Sequence, residues 1–160
     1  MRWEAPDGSV WASRFEYEVY RGLKESGVAV RRTDEQDRLF YSRPIRKGTC
    51  AACGSSNVVS RHSYCPDLFV STQQPDERRS GQSAAVPAAG YYIEAKGFFR
   101  ADRRSLLRSL RKARPDVDLR LVVQRDYRIT KRGLSLVQWI RKYLKCPVAI
   151  WTTGGGLTWQ

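Results

Sequence analysis

The chain has 160 residues, 41% apolar and 28% charged, with 29 Lys and Arg against 16 Asp and Glu for a formal net charge of +13. That is one domain's length with enough apolar content to bury a core without staples. No apolar run has the length of a membrane span, and Met1-Arg2-Trp3-Glu4 does not open a signal peptide, so neither a membrane protein nor a secreted scaffold is expected.

Trp11, Phe15, Val19 and Leu23 recur every four residues, which predicts an amphipathic helix closed by Ser26-Gly27. Val28 to Arg31 and Leu39 to Ser42 read as short strands joined by the polar turn Thr33-Asp34-Glu35-Gln36-Asp37. Residues 48–63 form a loop around a CxxC, with the loop composition strongest from Gly48 to Val59. Tyr64 to Val70 is predicted as one strand. Residues 71–90, rich in Ser, Gln, Pro, Gly and Ala, read as a flexible polar insertion. Tyr91 to Ala95 is a strand ended by Lys96-Gly97. Ala101 to Ala113 is a helix with Leu106, Leu107 and Leu110 inward, stopped by Pro115. Leu119 to Gln124 is an apolar strand, Leu134 to Lys145 a helix on Leu136, Val137, Ile140 and Leu144, and Val148 to Trp151 a last strand before a frayed Gly154-Gly155-Gly156 tail. Strand–helix–strand order after Tyr91 predicts an α/β fold, a central mixed β-sheet flanked by α-helices. Trp11, Phe15, Tyr64, Phe69 and Trp139 have core-like spacing. Phe98-Phe99 are assigned to the core beneath the basic helix, over the alternative of stacking on an exposed base.

The basic excess is regional. From Phe98 onward there are 15 basic and 4 acidic residues, whereas the first 97 residues are nearly balanced. A polyanion is the expected partner. The helix face carrying Arg103, Arg104, Arg108, Arg111 and Lys112 is the expected DNA contact, through phosphates.

Two segments carry residues fit for chemistry. Residues two apart share a strand face, so Glu94 and Lys96 project together, and Asp67 on a neighbouring strand can meet them. Hard carboxylate oxygens suit Mg²⁺ or Mn²⁺, and a lysine beside such an ion can orient water or stabilise charge on phosphorus. Alone, E-x-K is a common strand end and Pro66-Asp67 an ordinary turn dipeptide. The combination in this order is what carries information. The four Cys, with a single CxxC, suit a reducing, cytoplasmic setting. Cys50, Cys53, His62 and Cys65 have the types and spacing of a structural zinc site. The alternative is reduced thiols, the state also expected of Cys146.

Asp67, Glu94 and Lys96 match the PD-(D/E)xK nuclease core. More closely, His62-Ser63-Tyr64-Cys65-Pro66-Asp67-Leu68, then Glu94-Ala95-Lys96-Gly97, a basic helix from Asp102 to Pro115 and a strand from Asp118 to Val123 resemble the phage endonuclease I family, the junction-resolving enzymes of podophages. The likeness runs from about Ser13 to Trp151. It implies a single nuclease domain over 1–160 with a restriction-endonuclease-like core, and metal-dependent hydrolysis of branched DNA, such as four-way (Holliday) junctions, leaving a 5′-phosphate. It also implies a homodimer with exchanged elements, and the host-cell cytoplasm as location if the chain is phage-encoded. Asp67 and Glu94 would ligate Mg²⁺, Lys96 would contact the attacked phosphate or water, and Glu16 in Ser13-Arg14-Phe15-Glu16, from the same chain or from the second subunit of the dimer, would complete the site. Glu16 has a second reading, since Ser13-x-x-Glu16 is also a capping box. The long Asp67–Glu94 connection and the CxxC depart from the family. In the family His62 has a counterpart without any Cys, which suits a role toward DNA or the fold. Two other functions fit the same residues: another PD-(D/E)xK DNA endonuclease of transposon-end, restriction or mismatch-repair type, and a non-catalytic zinc-containing DNA-binding module.

Overall fold

The computed structural model describes residues 2–44, 52, 54, 59–72, 89–129, 133–152, 157 and 159. Strands β1 (Trp3–Glu4) and β2 (Val10–Trp11) form a small hairpin ahead of helix α1 (Arg14–Glu25). Then come β3 (Val30–Arg32), a 3₁₀ turn (Glu35–Asp37), β4 (Leu39–Pro44), β5 (Val59–Tyr64), β6 (Leu68–Ser71) and β7 (Gly90–Lys96). Helix α2 (Ala101–Ala113), β8 (Leu119–Val123), helix α3 (Leu136–Trp139) with a π-helical turn (Ile140–Leu144), and β9 (Val148–Ile150) complete the order.

The central sheet has the order β3-β6-β7-β8-β9. The β3–β6 and β6–β7 pairs are antiparallel, and β7, β8 and β9 run parallel. Parallel neighbours need crossovers, which α2 and α3 provide. Alternation along the strands gives each face its own core. Leu119, Leu121 and Val123 of β8 pack with Leu107 and Leu110 of α2 and with Leu136, Ile140 and Leu144. Leu68, Val70, Ile93, Ala95 and Val122 pack with Phe15, Val19 and Leu23 of α1. The expected mixed sheet between helices is therefore present, in three layers. Each fully buried aliphatic side chain contributes about 1.5–3 kcal/mol.

Local departures from expectation have identifiable causes. Helix α1 begins at Arg14, not near Trp11, because the Ser13 hydroxyl accepts the Glu16 N–H at 3.2 Å and caps it. Trp11 is buried in β2, opposite Trp3. Its four-residue spacing to Phe15 arises from two elements covering one core. The predicted strand Tyr64–Val70 is two strands broken at Cys65-Pro66-Asp67, since Pro66 has no N–H for a ladder. The break sends the halves to different partners. β5 pairs with β4 in a separate ribbon, Leu39 opposite Tyr64, while β6 pairs with β3. The predicted 28–42 hairpin is therefore not a hairpin, and residues 59–63 are strand where a loop is expected. The polar turn between β3 and β4 is held by Asp37, whose buried carboxylate takes both ends of the Arg31 guanidinium at 2.6 and 2.8 Å.

Cys50, Cys53 and most of the polar insertion lie outside the described residues. The insertion's ends belong to the sheet. Ser71 closes β6, and the Thr72 N–H donates to the Ala89 carbonyl at 2.9 Å. Gly90 opens β7 where a Cβ would stand 2.2 Å from the Val70 oxygen and 2.5 Å from the Phe69 ring. The Gly154–Gly156 tail is outside the described residues, but Trp159 beyond it bridges Ala149 and packs edge-on to Tyr91, so the chain returns to the sheet. Phe99 is fully buried as expected, but Phe98 is exposed. No helix among the described residues is long and apolar enough to cross a membrane.

Candidate active site

The site forms where β6 starts and β7 ends. The backbone of Asp67 is fixed on two sides, its N–H donating to the Ile93 carbonyl at 3.2 Å and its carbonyl accepting from Thr33 N–H at 3.3 Å. Thr33 Oγ1 also donates to the Pro66 carbonyl, so the break before Asp67 is tied to the β3 end. From there the Asp67 carboxylate reaches across to β7. Its Oδ2 accepts from the Ala95 N–H at 2.8 Å and from Lys96 Nζ at 3.1 Å. Glu94 and Lys96 stand on one face of β7, and Lys96 Nζ lies 2.6 Å from Glu94 Oε1. Glu94 is 2% exposed. Glu16, in the first turn of α1, is buried at the same place and feels the charges of Asp67 and Lys96.

Asp67 and Glu94 thus flank one ammonium, and the Glu16 carboxylate lies near enough to feel the charges of Asp67 and Lys96. Burial, and then the negative charge of Asp67, push Glu94 up to about 7. The same two causes, in the same order, push Glu16 up to about 7. Burial also raises Asp67, with Lys96 and the Ala95 N–H opposing it. For Lys96 burial acts downward, but Glu94 and Asp67 outweigh it and hold the ammonium charged. The cluster therefore carries more potential negative charge than its one lysine neutralises.

All four residues expected to form the site are brought together. Glu16 serves both of its readings, since its N–H belongs to the helix cap while its carboxylate joins the cluster. Two further residues join it. The Tyr64 phenol is raised well above its ordinary value by burial and then by Glu94 and Asp67, and so is held protonated against the cluster. Arg103 contributes a favourable charge to Asp67. Tyr64 reads as core from its sequence alone; only its place in the His62–Leu68 segment hinted at more.

Asp67 and Glu94 are hard oxygen donors, with the Tyr64 phenol beside the buried Glu94 carboxylate. This donor set fits Mg²⁺ or Mn²⁺, which take one or two carboxylates and fill the remaining positions with water and phosphate. Among the described residues no three His, Cys, Asp or Glu side chains converge as a ready-made cage; a two-carboxylate site does not require one. Of the four zinc candidates, Cys50 and Cys53 are outside the described residues. His62 Nε2 lies 2.7 Å from Ser60 Oγ and its ring stacks on Tyr41 at 5.5 Å. The exposed Cys65 thiol donates to the Asp34 carbonyl at 3.2 Å. The two residues have separate partners. Burial pushes the Cys146 thiol up to about 12, as an inert core cysteine.

The five basic residues of α2 divide. Arg103, Arg108 and Lys112 are exposed. Arg104 turns back to the Phe99 carbonyl at 3.0 Å and lies over Trp139. Arg111 donates to the Leu144 carbonyl at 3.2 Å and to the Val117 carbonyl, fastening α2 to the elements beside it. Arg108 and Lys112, with Ser105 and Ser109, line a groove of about 630 Å³ whose other wall is Ser42 and Arg43 of β4. The β4 wall has no signal in local sequence, because β4 meets α2 only through the fold. Comparison with protein-family models, with curated proteins and with solved structures found no match for this chain.

Proposed function

We propose that the protein is a metal-dependent DNA endonuclease of PD-(D/E)xK type that hydrolyses phosphodiester bonds in branched DNA, four-way junctions included. The observation that carries this reading is the direct grouping of Asp67, Glu94 and Lys96 at one sheet end, with Glu16 within reach of their charges. The order of elements adds support. A strand led by Asp67, a strand ending in Glu94-x-Lys96-Gly97, a basic helix and a parallel strand are the order that the resemblance to phage endonuclease I implies.

Asp67 and Glu94 would hold Mg²⁺ or Mn²⁺. When bound, the ion supplies a water of lowered pKa and neutralises charge developing at phosphorus. The chain's own residues do the rest. Lys96, kept charged by its two carboxylates, presents an ammonium to the attacked phosphate. Glu16, raised to about 7 by burial and then by Asp67, would take a proton from the attacking water near neutral pH. Arg108, Lys112 and Arg43 line a basic groove suited to the phosphate backbone. Paired nicks in opposed strands need two active sites, so a homodimer belongs to the proposal, as does a cytoplasmic place of action on DNA.

The test is a nicking assay on a four-way junction and on linear duplex of the same sequence, with Mg²⁺ and with EDTA. Mg²⁺-dependent cleavage of the junction in preference to duplex is expected. Equal cleavage of both would move the protein to a restriction, transposon-end or repair type. No cleavage of either would leave a DNA-binding module.

A further inference from the structure

Phe98 is the most exposed large apolar side chain among the described residues, at 70%. Its neighbour Phe99 is fully buried and anchors the segment. Phe98 is not loose on the surface. Its ring lies nearly parallel to that of Tyr127, at 15° with centroids 5.9 Å apart. Tyr127 is itself fixed, its hydroxyl accepting from the Phe99 N–H at 2.9 Å. One face of Phe98 is therefore backed by a held aromatic ring, and the remainder is open. A cleft of about 620 Å³ runs beside the pair, and its charged lining residues are Arg100, Arg104 and Arg128 against Asp102. Arg104 is turned inward to the Phe99 carbonyl, while Arg100 and Arg128 are exposed.

We infer that Phe98, backed by Tyr127, is a stacking platform for one nucleobase with an uncovered face, with Arg100 and Arg128 meeting the phosphates of that nucleotide. The inference rests on the endonuclease reading and specifies its substrate. Within paired duplex both faces of a base are covered by neighbours; at a branch point or strand end one face is free. An aromatic face flanked by guanidinium groups is the recognition chemistry for such a base. Position supports the assignment. Phe98 is two residues from Lys96, so their Cα atoms are within roughly 7.6 Å. The platform therefore lies at the same end of β7 as Lys96. Selectivity for branched DNA then has a direct origin in this chain, because the platform stays unfilled on continuous duplex.

The experiment uses a duplex with one extrahelical 2-aminopurine and a fully paired control, mixed with the whole protein in EDTA. Stacking on Phe98 should quench the 2-aminopurine fluorescence. Phe98→Ala should abolish the quench and weaken binding of the bulged DNA about tenfold, leaving affinity for the paired control and the melting temperature unchanged. Phe98→Trp should restore the quench. Quenching that survives Phe98→Ala, or an equal loss of affinity for both DNAs, overturns the platform. Cleavage by wild-type protein with Mg²⁺ is scored separately. Quenching without any cleavage removes the nuclease reading and keeps the platform; cleavage with no Phe98-dependent quenching does the reverse.

Discussion

Lys96 stands between two carboxylates that are too buried to be ionised cheaply without it. Replacing it by Ala leaves Asp67 and Glu94 facing each other unneutralised, and removing either acid leaves the ammonium with one partner. Asp67→Asn, Glu94→Gln and Lys96→Ala proteins should fold and bind junction DNA yet cleave at least about a hundredfold more slowly. Single-turnover cleavage, with circular dichroism as the check on folding, measures this; near-normal cleavage by Asp67→Asn would sink the assignment. The same cluster makes metal-free stability depend on pH. Glu16 and Glu94 are raised from 4.5 to about 7, burial first and Asp67 second, so the folded chain binds protons more tightly than the unfolded one. Their contribution is whole below about pH 4.5 and is lost as pH rises through about 7. In EDTA the melting temperature should fall across that window. Saturating Mg²⁺ should flatten the fall, because the cation takes over from the protons. A melting temperature that rises from pH 5 to pH 8 in EDTA would show that the acids are not held neutral.

Helix α2 divides its arginines between holding the fold and facing solvent, and periodicity could not make that division. Arg111 and Arg108 are three residues apart, on one side of the helix. Yet Arg111 reaches two carbonyls of neighbouring elements while Arg108 lines the groove with Lys112. Arg108→Ala and Lys112→Ala should each lower the slope of log K against log salt by about one unit, at unchanged stability. Arg111→Ala should leave the slope alone and cost about 1–3 kcal/mol in denaturant unfolding, since two part-buried carbonyls lose a charged donor. Salt titrations of junction binding beside urea melts separate the cases. The β4–β5 ribbon teaches the same lesson from strands. Leu39 to Ser42 and Val59 to Tyr64 have strand composition, but their pairing depends on the break at Pro66, which releases Asp67 from one ladder and sets it against β7.

For the molecule as a whole, one expectation follows from the proposed function and one from the cysteine spacing. Bilateral cleavage of a junction requires two active sites, so light scattering at micromolar protein should report twice 18.4 kDa. A monomer at every concentration that supports cleavage would remove the dimer. Zinc is the other. Cys65 can join Cys50 and Cys53 only if its thiol gives up the Asp34 carbonyl, whereas His62 can keep Ser60 at Nε2 and ligate through Nδ1. Elemental analysis of untagged protein should find one zinc per chain, absent from Cys50→Ser with a lower melting temperature. Zinc-free protein that cleaves fully with Mg²⁺ would leave the cysteines as thiols.

By itself the sequence determined the layer architecture and the membership of the acidic cluster. Strand–helix–strand order with apolar strands leaves few alternatives to a sheet between helices, and the two-residue period places Glu94 and Lys96 together whatever surrounds them. What only the tertiary structure decided are properties that depend on neighbours distant in the chain. The buried carboxylate of Glu94, the raised Glu16, the Tyr64 phenol at the cluster and the β4 wall of the groove all arise where separate elements meet. Phe98 and Phe99 show the limit most plainly. Adjacent and chemically identical, one fills the core and the other lies open beside the site, because consecutive side chains leave the backbone in different directions and only the packed neighbours determine which of them is covered.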